Sequence, residues 1–115
     1  MSLLALELLQ HLMAETSYIL QQTRGLQREV FLQDETLKRA FTRSLEIISE
    51  ASKDLPADIK QQHSGVDWKA LAAMRDKLIH LYLDVDEDIL WDIVCHKVPV
   101  WHRAFEQIMQ NEIDA

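Results

Sequence analysis

The scarcity of turn-forming residues constrains the fold of this chain more than any other feature. Only two glycines and two prolines occur among 115 residues. A β-rich fold needs many tight turns, and tight turns need Gly, Pro or Asn-Gly pairs. Leu, Ala, Glu, Gln, Lys and Met are abundant instead, and these residues favour helices. The length suits one hydrophobic core. The sequence therefore predicts an all-α protein with a single domain over residues 1–115.

Capping residues and helical spacing of apolar residues divide the chain into four or five helices. The expected helices run from Ser2 to about Thr23, from Asp34 to about Lys53, from Val66 or Asp67 onward, from Asp84 or Asp86 onward, and from Pro99 to about Asn111. Residues 26–33 are expected to form a connector, and residues 57–65 a polar loop. Short connections favour antiparallel neighbours, which predicts an up-and-down bundle.

Each expected helix carries an apolar stripe that should face the core. In chain order the expected core residues are Leu4, Leu8, Leu12 and Ile19; Leu37, Phe41, Leu45 and Ile48; Leu71, Met74, Leu78, Leu81 and Val85; Ile89, Leu90, Ile93 and Val94; and Val100, Phe105, Ile108 and Met109.

Cysteine usage and hydropathy indicate a cytoplasmic protein. The single cysteine, Cys95, excludes an intramolecular disulfide and a cysteine-based zinc site. No segment has the uninterrupted apolar length that a bilayer span needs. The apolar start differs from a signal peptide because it lacks a basic region and contains Glu7 and Glu15.

The formal net charge of −7 restricts the possible ligands. Non-specific affinity for nucleic acid comes mainly from Lys and Arg that neutralise phosphates, so an acidic domain is a poor general binder. Any chemistry on RNA or DNA must therefore use a local basic site, or a partner must assist.

The octad Arg75 to Tyr82, which reads Arg-Asp-Lys-Leu-Ile-His-Leu-Tyr, concentrates chemically active side chains on one expected helix. A guanidinium neutralises phosphate charge, and a histidine moves protons near neutral pH. With the phenol of Tyr82, these groups are sufficient to bind or cleave a phosphodiester without a metal.

A helical wheel separates the octad into two edges. Arg75 and Tyr82 lie within about 20° of each other, and Asp76 and His80 are neighbours four residues apart. Arg75 and His80 are about 140° apart, which favours a site completed by a bent helix or by a second copy across a dimer interface. The alternative interpretation is a solvated helix face with a surface histidine.

A longer pattern carries a family resemblance. It comprises Asp67-Trp68, Ala73 to Tyr82, Val85-Asp86, Leu90-Trp91 and Val98-Pro99, with the upstream segment Arg43 to Pro56. The pattern resembles the HEPN superfamily and, within it, HepT-type toxins, whose hallmark is Arg, four residues, His, one residue and Tyr. The resemblance covers most of the chain.

This resemblance implies a small helical homodimer that acts as a metal-independent endoribonuclease toxin, without a cofactor, in a type VII-like toxin–antitoxin system. It implies that Arg75 and His80 are catalytic and that Asp76 supports them. A minimal nucleotidyltransferase antitoxin would transfer AMP from ATP to Tyr82. Leu81 is a departure, because many relatives have Gly between His and Tyr.

Other patterns favour alternative interpretations. Glu7 with His11 and Asp92 with His96 have the i,i+4 spacing of metal pairs, but such pairs are common on solvated helices, and we expect no metal site. The acidic charge also suits a non-catalytic helical module that binds a nucleotide or presents substrate to a nucleotidyltransferase. A dimerisation scaffold is the third possibility.

Overall fold

The computed structural model describes the backbone of residues 2–82 and 86–114, and the side chains of residues 2–78 and 86–113. Its helices are α1 (Leu3–Thr23), α2 (Arg28–Gln33), α3 (Glu35–Asp54), α4 (Ala57–Gln62), α5 (Trp68–Tyr82), α6 (Glu87–Asp92), a π-helical turn (Ile93–Lys97) and α7 (Val98–Asp114). The described residues contain no β-strand, which confirms the all-α prediction. None of the described helices has the length and apolar character of a membrane span.

The four long helices form a bundle around one core. Helix α3 packs against α1 and α5, and α1 also packs against α7. The largest fully buried side chains come from these helices, from α2 and from the π turn, and they include Phe31, Phe41, Leu45, Leu71 and Phe105. The predicted helical bundle is therefore confirmed.

Three predicted helix boundaries are confirmed by their capping geometry. The Ser2 hydroxyl accepts a hydrogen bond from the backbone N–H of Ala5 at 3.1 Å. The Asp34 carboxylate accepts one from the N–H of Leu37 at 2.9 Å. Gly25 follows α1 with a φ of 67°, a backbone conformation that favours glycine at a helix end. Ser2 and Asp34 each pair a backbone N–H that the helix itself leaves unpaired, and Gly25 ends α1.

Both expected irregular segments contain helices, so these two predictions were wrong. Residues 57–62 form α4, which follows Pro56, carries Asp58 in its first turn and buries Ile59. An acidic residue in the first turn favours a helix, and burial of Ile59 adds stability that a polar loop would not have. Residues 28–33 form α2.

The buried face of α1 differs from the predicted stripe. Leu4 is exposed and Leu8 is half-buried, whereas Ala5 and Leu9 are buried. Because the segment is rich in leucine, more than one helical stripe fits its sequence, and a shift of one residue rotates the face by about 100°. Ile89 and Val100 are also exposed, contrary to prediction. Most of the other expected core residues are buried, but Leu81 and Val85 lie outside the described side chains.

The expected fourth and fifth helices form one continuous helical segment with a π turn inside it. Asp86 is the N-cap of α6, while the competing candidate Asp84 lies outside the described residues. Pro99 lies in the first turn of α7, as predicted. Proline has no N–H and its ring clashes with the carbonyl four residues earlier. The π turn accommodates this, because the N–H of Val98 donates to the carbonyl of Ile93.

An ion-pair cluster holds the start of α6 against the rest of the bundle. The Lys38 ammonium on α3 lies 2.8 Å from Glu35 and 2.6 Å from Glu87 of α6. Hydrogen bonds to Glu35 and Glu87 raise the pKa of this largely buried lysine. Arg28 of α2 pairs with Asp88. The chain beyond the octad therefore returns to a fixed position on α2 and α3.

Candidate active site

Helix α3 fixes the position of the part of α5 that leads into the octad. The fully buried Ser49 hydroxyl lies 3.0 Å from the carbonyl oxygen of Leu71 and 3.3 Å from that of Ala72. A buried hydroxyl that donates to a neighbouring helix specifies the register between the two helices. This contact lies one turn before Arg75, so it sets where the Arg75 side chain leaves α5.

The Arg75 guanidinium is held by a carboxylate from α3. Its Nη1 atom donates to Oε1 of Glu50 at 2.6 Å, and the Lys53 ammonium lies 3.8 Å from the same oxygen. The Arg75 side chain is nevertheless 58% exposed. A guanidinium has five N–H donors in a planar fork, so one bond to Glu50 leaves donors for a phosphate. The Arg75 guanidinium is thus held in one orientation and is also accessible to a ligand from solvent.

All predicted site residues lie on α5, but the structure describes the side chains of Arg75 and Asp76 only. Asp76 follows Arg75 and is exposed. His80 and Tyr82 belong to the last turns of α5, but their side chains, and that of Leu81, lie outside the described part of the chain. The proximity of Arg75 to Tyr82, the Asp76–His80 pair and the effect of Leu81 therefore stay predictions.

Of the possible metal pairs, one forms a direct contact. His96 Nδ1 lies 3.1 Å from Asp92 Oδ1, and both side chains are exposed. Within residues whose side chains are described, no group of three or more His, Cys, Asp or Glu side chains is placed to hold a metal ion. Cys95 is half-buried in the π turn, where burial and the nearby Asp92 carboxylate raise the pKa of its thiol.

Sequence reasoning missed Glu50, the partner of Arg75. Glu50 is a half-exposed residue of α3, 25 residues before Arg75. Pairing between residues so far apart depends on the register of α3 against α5, which the hydrophobic pattern of either helix does not give.

Comparison with known proteins identifies the family. The sequence profile of the ribonuclease HepT-like family matches residues 7–108 of the chain. The chain belongs to the ribonuclease HepT-like family. This membership confirms the resemblance to HepT-type proteins and the prediction of an endoribonuclease.

Curated proteins that are similar in sequence align over most of the chain. "Putative RNase TTE0752" of Caldanaerobacter subterraneus subsp. tengcongensis is 41% identical over 104 residues, which cover 90% of this chain and 93% of that protein. "Probable ribonuclease HepT" of Thermococcus cleftensis is 44% identical over 86 residues, 75% of this chain and 78% of that protein. "Putative RNase MJ0127" of Methanocaldococcus jannaschii is 42% identical over 89 residues, 77% of this chain and 74% of that protein. No solved structure matches the chain.

The contact between Arg75 and Glu50 gives a first prediction for this HepT-like chain. Glu50→Ala should lower kcat for RNA cleavage about tenfold, because the guanidinium loses its fixed orientation. The KM for RNA should stay unchanged or fall, because a negative charge beside Arg75 is removed. Glu50→Gln should recover much of kcat, since its amide oxygen still accepts from Arg75. Steady-state kinetics on a short RNA measure both constants.

The control for Glu50 is Glu106→Ala, which removes an exposed carboxylate from α7. It changes the net charge equally and should alter neither constant. Exposed ion pairs contribute only about 0–1 kcal/mol to stability, so the Glu50 variants should stay folded. Unchanged kcat in Glu50→Ala would show that Arg75 does not depend on this carboxylate.

Proposed function

We propose that this chain is the toxin of a toxin–antitoxin pair, a metal-independent endoribonuclease whose site is completed in a homodimer. The proposal rests on the observation that, in this HepT-like chain, Arg75 is oriented by Glu50 and is still open to solvent. It stands in the sequence Arg-x4-His-x-Tyr with His80 and Tyr82.

The proposed reaction needs only proton transfer and charge stabilisation, because RNA carries its own nucleophile. The 2′-hydroxyl attacks the adjacent phosphorus while a His80 imidazole takes its proton. The bond from phosphorus to the 5′-oxygen breaks, and a second, protonated histidine gives that oxygen a proton. The products are a 2′,3′-cyclic phosphate and a 5′-hydroxyl. Arg75 stabilises the negative charge that develops on the phosphoryl oxygens.

A homodimer supplies what one helix lacks. One copy of the motif has a single histidine, whereas the reaction uses a base and an acid. Arg75 and His80 also lie about 140° apart around one straight helix, so their convergence on one phosphate is easier across two copies. Asp76, four residues before His80, is suited to orient the imidazole and to favour its charged form.

Regulation is proposed to act through Tyr82. A nucleotidyltransferase antitoxin would join the phenol oxygen to the α-phosphorus of ATP and release pyrophosphate. The resulting AMP group adds bulk and negative charge close to Arg75. It would compete with RNA for the guanidinium and repel the RNA backbone.

The direct test is cleavage of RNA by the purified chain in the presence of EDTA. We expect the rate to change less than about twofold on chelation, because no step uses a Lewis acid. Expression of the chain alone should arrest growth, and co-expression with its nucleotidyltransferase should restore it. Cleavage that requires a divalent cation would refute the mechanism. Intact RNA together with normal growth would instead favour the non-catalytic module that the net charge of −7 suits.

A further inference from the structure

A groove of about 650 Å³ lies between α5 and the segment formed by the π turn and α7. Its apolar lining includes Met74 of α5, Ile93 of the π turn and Trp101 of α7. Met74 and Ile93 are buried, and Trp101 is half-buried against the core, so these side chains are fixed by packing. Ala70 and Ala104 leave room above them. The groove is thus wide, apolar and in part aromatic.

Two lysines, Lys77 and Lys97, lie on the rim of this groove, in contrast to the acidic chain as a whole. His63 and His96 also line it, His96 next to the Asp92 carboxylate, and Asp67 is the one carboxylate among the lining residues. That carboxylate is already engaged, because its Oδ1 accepts a hydrogen bond from the backbone N–H of Ala70 at 3.0 Å. The net charge of the chain is −7. The lysines of the rim therefore form a local basic site that can attract an anionic ligand, although the chain as a whole is acidic.

The π turn helps to build this rim. Within it, Ile93, His96 and Lys97 all line the groove, so one turn supplies an apolar contact and two basic groups. Turns of this kind are rare and frequently occur at functional sites.

The position of the groove relates it to the proposed catalytic residues. Lys77 precedes His80 by three residues in α5, which corresponds to about 4.5 Å along the helix axis. Ala70 precedes His80 by ten residues, or about 15 Å. Stacked nucleotides of one strand are about 3.4 Å apart, so the groove can hold a nucleotide next to the phosphodiester at His80.

We propose that this groove binds one nucleotide of single-stranded RNA beside the cleaved phosphodiester. The base packs on Trp101 and Met74, and Lys77 and Lys97 hold the phosphates on its two sides. This inference rests on the proposed ribonuclease function and adds a subsite to it. A groove with apolar and aromatic side chains at its base and basic groups along its rim binds unpaired nucleotides. The bases stack on the aromatic side chains, and the basic groups pair with the phosphates. The subsite would restrict cleavage to unpaired RNA.

The test measures binding separately from cleavage. In a His80→Ala background, the affinity for a fluorescein-labelled single-stranded RNA octamer is read by fluorescence anisotropy at several salt concentrations. Lys77→Ala with Lys97→Ala should weaken binding about tenfold and lower the slope of log affinity against log salt by about 1.4, because two phosphate contacts are lost. The matched control is Lys69→Ala with Arg103→Ala. These exposed residues of α5 and α7 lie outside the groove, and their removal changes the charge equally.

A second variant fills the groove without changing the charge of the chain. Ala70 is exposed and lines the groove, so Ala70→Trp should block the base while the bundle stays folded. We expect RNA binding to weaken at least about fivefold, the lower range for loss of a stacked base. Ala14→Trp places the same side chain on the exposed face of α1, outside the groove and also without a change of charge, and should leave RNA binding unchanged.

Equal weakening by Lys77→Ala with Lys97→Ala and by Lys69→Ala with Arg103→Ala would overturn the proposal, since it would reflect overall charge alone. So would unchanged RNA affinity in Ala70→Trp together with an altered sedimentation mass, which would assign the groove to a protein partner. The wild-type chain is assayed for cleavage in parallel. If it cuts no RNA while the groove variants still lose affinity, the subsite stands and the catalytic proposal fails. If it cuts RNA and the groove variants bind and cut normally, the subsite fails alone.

Discussion

Replacing His80 with alanine should lower the rate of RNA cleavage by about 10³-fold or more, because general acid–base catalysis contributes about 10²–10⁴-fold and two histidines would be lost per dimer site. The same variant should no longer arrest growth. RNA binding should persist, since the proposed phosphate contacts come from Arg75 and from the lysines of the groove. The measurements are cleavage of a short RNA by the purified variant and growth after induction.

The matched control is His11→Ala. His11 is exposed on α1, outside the octad and outside the groove, so its loss should leave the cleavage rate unchanged. The dependence of kcat on pH gives an independent check. It should be bell-shaped in the wild type, because one imidazole must be neutral and the other charged. Undiminished cleavage by His80→Ala would refute the assignment.

Mixing two inactive variants tests how many histidines each site uses. Arg75→Ala and His80→Ala chains that exchange subunits form mixed dimers. The proposed mechanism uses both His80 imidazoles at one phosphate, so every site of a mixed dimer lacks one histidine and the mixture should stay inactive. Return of about a quarter of the activity would instead show that each site joins Arg75 of one copy to a single His80 of the other, since one of the two sites in every mixed dimer would then be intact. Full activity of Arg75→Ala by itself would remove the guanidinium from the mechanism.

The sequence predicted the helical class and several helix ends because these depend on local chemistry. Ser2 and Asp34 accept hydrogen bonds from nearby N–H groups, and the positive φ of Gly25 is likewise a local preference. Helix α4 was missed because its stability depends on burial of Ile59 in the assembled bundle, which a polar segment does not reveal. Such tertiary stabilisation commonly overrides a weak local preference.

The candidate site was predictable as a list of residues on one helix, but not as a three-dimensional arrangement. Arg75 and His80 were selected because they match the hallmark of the resembled family, a pattern that lies within one helix and does not depend on other helices. Its partner Glu50 and the groove beside Lys77 depend on how α5 packs against α3 and lies beside α7. The helical wheel treats α5 alone, so it gives angles around one axis and no distances to neighbouring helices.

Replacing Tyr82 with phenylalanine should abolish modification by the nucleotidyltransferase. The wild-type chain, co-expressed with that enzyme, should gain mass in increments of one AMP group, whereas Tyr82→Phe should show no gain. The variant lacks only the phenol oxygen that would attack ATP, and phenylalanine keeps the ring. It should therefore still cleave RNA, and it should arrest growth even when the antitoxin is present. Intact-mass spectrometry and growth curves measure the two effects.

The chain provides its own control for this prediction, because it contains only two tyrosines. Tyr18 is half-buried on α1, with its ring edge-on to Phe41 at a centroid distance of 6.3 Å. Tyr18→Phe keeps that packing, and we expect it to accept AMP as the wild type does. Tyr82 follows Arg75 by seven residues, about 10.5 Å along α5, which an attached AMP group can span to reach the guanidinium. An AMP-sized gain in Tyr82→Phe, or its loss in Tyr18→Phe, would place the modification elsewhere and remove the link between Tyr82 and Arg75.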